Sequence, residues 1–98
     1  MESAESKRIH LQEVIKRLKS YGNHVHQLKT DETWDLIAVD WPRGIVTCIQ
    51  CKVVGDMATA KRLLSRFRAD PPRVPAARIH QCLEVKVKGS TEVLSCTV

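Results

Sequence analysis

An aliphatic run from Trp34 to Val39 and a β-branched run from Gly44 to Val54 are separated by only a few residues, Asp40-Trp41-Pro42-Arg43. So short a connection cannot cross over a sheet, and Asp40, Pro42 and Gly44 favour a turn, so the two runs are expected to pair as an antiparallel hairpin. Centring that hairpin on Pro42 and Arg43 puts residues whose numbers sum to 85 opposite one another, with Asp35 facing Gln50. Side chains alternate along a strand, so Lys52 is expected to share that face. A slip of one residue would separate Asp35 from both.

The rest of the chain is read from its periodicities. Leu11, Val14, Ile15, Leu18 and Tyr21 recur at spacings of three and four, which predicts a helix over 5–21 ended by Gly22. A short strand is expected over 24–28. After Gly55, Asp56 is placed to cap a second helix whose buried stripe is Met57, Ala60, Leu63, Leu64 and Phe67. Lys61, Arg62, Arg66 and Arg68 fall outside that stripe. Three prolines between Asp70 and Pro75 then predict an extended connector, and 79–88 and 91–98 read as strands joined at Gly89 and Ser90. The expected order is αβββαββ in a single α/β domain spanning 1–98, with a mixed central sheet flanked by helices and a terminal β-hairpin over 76–98.

Sixteen Lys and Arg against eleven Asp and Glu give a net charge of +5, which favours an anionic partner, nucleic acid being the commonest. A solvated basic surface with no ligand is the competing explanation. The sequence has no apolar run of membrane-spanning length, and the polar start MESAESKR lacks the apolar core of a secretory signal. A cytoplasmic, reducing location with four free thiols is therefore expected.

The residues that carry chemistry are Asp35-Leu36-Ile37-Ala38 and Ile49-Gln50-Cys51-Lys52. Phosphodiester cleavage needs neutralised phosphate charge, an acidified water and a stabilised leaving oxygen, all within the reach of a divalent cation. Asp35 would anchor Mg²⁺ or Mn²⁺, Gln50 would add an amide oxygen, and Cys51 a backbone carbonyl. Lys52 would orient the water or stabilise charge on the phosphate. The same spacing also describes a polar strand pair in which Asp35 is simply salt-bridged to Lys52.

An acid on one strand, a short turn, then an acid or amide, any residue and lysine on the next resembles the PD-(D/E)XK nuclease superfamily. Within it, the helix ending Leu18-Lys19-Ser20-Tyr21-Gly22, the strand from His24 and Trp34-Asp35-Leu36-Ile37-Ala38 resemble the archaeal-type Holliday junction resolvases over about residues 5–68. That resemblance implies a small restriction-endonuclease-like domain and a metal-dependent endonuclease acting on branched or structured DNA. The alternative it implies is a DNA-binding or assembly protein with that fold and little cleavage. Gln50 stands where the family usually has an acid. The family's acid on the first helix aligns with Leu11, so no helix ligand is assigned.

Other residues have competing explanations. Cys48 and Cys51, with His80 and Cys82, have the composition of a zinc set, but residues three apart on a strand point to opposite faces, so small buried thiols are expected. Trp41 and Arg43 at the hairpin tip can stack on an unpaired base or pack locally, whereas Trp34 is expected in the core. Lys61, Arg62 and Arg66 can contact DNA phosphates or form a solvated face. Symmetric resolution of a four-way junction needs two nicks, and one such chain has room for one site. A C2 homodimer is therefore expected, with Leu83, Val85, Val87, Val93 and Leu94 completing the monomer's sheet or burying surface against the copy.

Overall fold

A computed structural model describes residues 4–29, 33–72 and 79–98. Helix α1 (Ala4–Ser20) precedes strands β1 (His24–Gln27), β2 (Leu36–Asp40) and β3 (Ile45–Val54), then helix α2 (Met57–Ala69) and strands β4 (Ile79–Val87) and β5 (Val93–Thr97). The order αβββαββ and the mixed sheet are those read from the sequence. One five-stranded sheet runs in the order β1-β2-β3-β4-β5. The first three strands form an antiparallel meander, β4 lies parallel to β3, and β5 returns antiparallel. A parallel neighbour requires a crossover, and α2 lies within it.

Local chemistry explains the element ends. Gly22, at φ +89, ends α1: Asn23 N–H bonds to Leu18 O at 3.1 Å and Gly22 N–H to Lys19 O at 3.0 Å, the paired bonds of a Schellman cap. Tyr21 sits in that turn rather than on the buried stripe and is 74% exposed, unlike its sequence expectation. Asp56 caps α2, its carboxylate accepting from Thr59 N–H at 2.7 Å. The β2–β3 turn occupies 41–44, with Gly44 at φ +67 and its N–H on Trp41 O at 3.2 Å. From Leu36↔Ile49 to Asp40↔Ile45 the register sums to 85.

Each face of the sheet carries one helix and one apolar cluster. Against α1 pack Leu36, Ala38, Ile49, Cys51 and Cys82 with Leu11 and Val14. Against α2 pack Leu83, Val85, Val87 and Cys96 with Ala60 and Phe67. Met57, Leu63 and Leu64 join them, so the whole stripe expected of α2 faces the sheet. Trp34, expected in the core, is half-buried against this cluster and meets Phe67 edge-on at 6.3 Å. Cys48, Cys51, Cys82 and Cys96 are buried free thiols. Burial pushes Cys82 up to about 11 and Cys51 further in the same direction, so both stay protonated.

A buried polar clamp joins α1 to β4. Glu84 is 7% exposed and accepts from Arg17 at 2.5 Å, while the fully buried His10 ring reaches Glu84 O through Nε2 at 3.3 Å. His10 Nδ1 is buried with no partner among the described residues. Burial holds His10 below its ordinary 6.5, so the fold favours the neutral ring. Its contribution to stability is present above the ordinary value and lost as pH falls through the folded one. Glu84 is shifted upward by burial and acts in the opposite sense, its contribution present below 4.5 and lost as pH rises through its folded value. The stability of the wild type to urea should therefore fall on acidification below about pH 6.5, and His10→Gln should flatten that slope. An unchanged slope in the variant would place the titration elsewhere.

Candidate functional site

The β2–β3 ladder changes at Asp35, and that change sets the site's geometry. Asp35 donates its backbone N–H to Ile49 O at 2.9 Å, although Leu36 is the residue in register with Ile49. Two residues of one strand thus meet one of the other, as in a β-bulge. The bulge breaks alternation: Trp34 packs under α2 and Leu36 under α1, although they are two residues apart. Leu28 N–H bonds to Asp35 O at 2.8 Å, holding the bulge from the β1 side.

Asp35 is 5% exposed, and both of its carboxylate oxygens are engaged. Oδ2 accepts from Cys51 N–H at 2.8 Å, the bond a further β2 carbonyl would otherwise supply. Oδ1 meets Lys7 Nζ of α1 at 3.0 Å. The ion-pair partner of Asp35 is therefore Lys7, not the Lys52 considered from the sequence. Side-chain exposure is 29% for Lys7 and 7% for Asp35, so the ammonium approaches from the solvent side.

Gln50 and Lys52 are together but turned toward α2. With Leu63, Arg66, Phe67, Asp70, Pro72 and Leu83 they line a cavity of about 140 Å³. Their β4 neighbours, Leu83 and Val85, belong to the α2-side core. Lys52 has no ion pair among the described residues. The structure thus brings Asp35 to the backbone of Cys51, and Gln50 to Lys52 and Arg66. It does not join the carboxylate to the Gln50 or Lys52 side chains by a hydrogen bond or ion pair. No cluster of three or more His, Cys, Asp or Glu suited to a metal occurs among the described residues.

The other basic candidates occupy separate places. Lys61 and Arg62 lie exposed on the outer side of α2, with Lys61 on a shallow surface shared with Ser65 and Arg68. Trp41 is 68% exposed and meets the His24 ring edge-on at 6.3 Å. It and Arg43 lie beyond Ile45, six residues along β3 from Cys51, or roughly 20 Å at the usual strand rise. Arg43 instead borders a groove of about 460 Å³ on the α1 face with Arg17, Tyr21 and Glu84.

Lys7 was missed by sequence reading, although a signal exists. It stands four residues before Leu11 and so continues the same helical stripe toward the N-terminus. A lysine at the end of an apolar stripe can bury its stem and present its ammonium to an acid at the rim. No protein-family model matches the sequence, and no curated protein matches it significantly.

Proposed function

We propose that the chain is a metal-dependent endonuclease acting on branched or structured DNA. The observation that carries this reading is Asp35, a buried carboxylate fixed through Oδ2 to Cys51 N–H, with its other oxygen turned to a cation, beside Gln50-Cys51-Lys52. The resolvase-like resemblance of the sequence supports the same reading.

For Mg²⁺ or Mn²⁺ the described residues offer one carboxylate, Asp35, so most of the ion's shell would come from water and phosphate oxygens. Carboxylate and backbone carbonyl oxygens are hard ligands, and the Lys7 ammonium already occupies the position of a positive charge on Oδ1. Asp35 and the Cys51 carbonyl would hold the ion, whereas Gln50 is turned toward α2 and away from it. Such an ion, when bound, neutralises phosphate charge and acidifies water. The protein's own contribution is positional. Cys51 N–H fixes the rotamer of Asp35, and the bulge sets it toward α1. Lys52 and Arg66, on the α2 side of the same strand end, offer cationic groups to a phosphate. Lys61 and Arg62 extend the positive surface along α2. Two symmetric nicks in a junction would be made by a C2 homodimer.

A second reading, a DNA-binding protein of this fold with little cleavage, is favoured by the Lys7–Asp35 pair and by the neutral Gln50. Comparing four-way junctions, flaps and linear duplex tests both. The nuclease reading expects junction binding that weakens linearly with log salt concentration, nicks that require Mg²⁺ or Mn²⁺, and a dimer by sedimentation on the junction. Tight binding without nicks under any metal would establish the second reading. A salt-insensitive or absent interaction would contradict both.

A further inference from the structure

We propose that Lys7 is a tethered cation that occupies Asp35 when no divalent metal is bound, so that metal loading proceeds by displacing it. The inference rests on the endonuclease reading and adds the group that regulates its metal site.

The two partners of the ion pair are held unequally. Asp35 cannot leave: its Oδ2 completes the ladder at Cys51 N–H, its backbone N–H and C=O are held by Ile49 and Leu28, and its side chain is 7% exposed. Lys7 can leave. Its side chain is 29% exposed, its one ion pair among the described residues is with Asp35, and a four-carbon stem can carry the ammonium into water. The next cationic residue on α1 does not replace it, because Arg8 is engaged with Glu5 at 2.6 Å on the exposed side. Charge at the site favours exchange. A lone buried carboxylate is costly, and with Lys7 in place a partner is always present. A divalent ion brings twice the charge to the same oxygen and frees the lysine to hydrate, so the two compete for Oδ1.

A merely structural ion pair makes a different prediction. If Lys7 only pins α1 to the sheet, its removal lowers stability and no metal restores it. If it stands in for a metal, its removal lowers stability in chelator, and the metal compensates because ligand binding to the folded state alone is stabilising.

Thermal denaturation in chelator and across a titration of MgCl₂ or MnCl₂ separates the cases without reference to cleavage. Lys7→Ala should melt below wild type in chelator and recover with metal, at a metal midpoint about five- to tenfold lower than wild type, the range expected for removing one partly exposed competing charge. Lys7→Met, which keeps the apolar stem, serves the same purpose should the alanine variant fail to fold. Lys7→Glu places a second carboxylate against Asp35 and should lower the midpoint further. Adding Asp35→Asn to Lys7→Met should abolish the response. Equal midpoints for wild type and Lys7→Met would overturn the role of Lys7 while leaving a metal at Asp35 intact. A folded protein with no metal response in wild type, Lys7→Met or Lys7→Glu would overturn this inference and the metal-dependent reading together.

Discussion

Asp35→Ala is expected to destabilise the fold by about 2–3 kcal/mol as well as to abolish metal-dependent cleavage. The stability loss follows from two contacts. Cys51 N–H, in the centre of the sheet and accepted among the described residues by Asp35 Oδ2 at 2.8 Å, is left buried without that acceptor. Lys7 loses its counter-charge, but its partial exposure allows it to hydrate, so that part of the cost is small. An alanine variant therefore confounds folding with chemistry. Asp35→Asn separates them: its carbonyl oxygen can still accept from Cys51 N–H, while the charge that would hold a cation is gone. Chemical denaturation should show Asp35→Asn markedly nearer to wild type than Asp35→Ala, with both inactive. Equal destabilisation of the two would mean that charge, rather than the Cys51 bond, dominates the contribution of Asp35 to folding.

Phe67→Ala should have the largest effect on stability, about 3–5 kcal/mol. The ring is 5% exposed and meets Trp34 edge-on, and it borders the cavity beside Gln50 and Lys52. Truncation would strip a buried ring from the contact between α2 and the sheet, beside a pocket that is partly open to solvent, and so combines lost apolar burial with a gap the neighbours must fill. In a domain of this size each kcal/mol moves the melting temperature by about 4–8 °C, so calorimetry should show a fall of well over 10 °C. Because α2 also positions Arg66, DNA affinity should fall alongside. A fall under about 5 °C would mean that α2 closes the gap with its neighbouring leucines.

The fold was readable because its signals are local. The α2 stripe from Met57 to Phe67, the Asp56 cap and the turn at 41–44 each follow from nearby residues, and the register of Leu36 with Ile49 follows from that turn. Strand ends moved by a residue or two, and β5 begins at Val93 rather than at residue 91. The site was less readable because its decisive features are non-local. A bulge at Asp35 adds no unusual residue to the sequence, yet it turns the carboxylate toward α1, while alternation along β3 turns Gln50 and Lys52 toward α2. Its partner Lys7 lies 28 residues away in sequence, one helical turn before the apolar stripe that begins at Leu11. The same limit applied to His10 and Glu84. Each looks like an ordinary surface residue in sequence, and only the docking of α1 on β4 buries them together.

If Asp35 supports metal-dependent cleavage of structured DNA, nicking of an end-labelled four-way junction by wild type and Asp35→Asn in chelator, Mg²⁺ and Mn²⁺ will show it. The proposed function predicts nicks near the branch point only for wild type and only with metal, while both proteins bind the junction. Nicking by Asp35→Asn at the wild-type rate, or no nicking by a folded, junction-bound wild type in either metal, would contradict it.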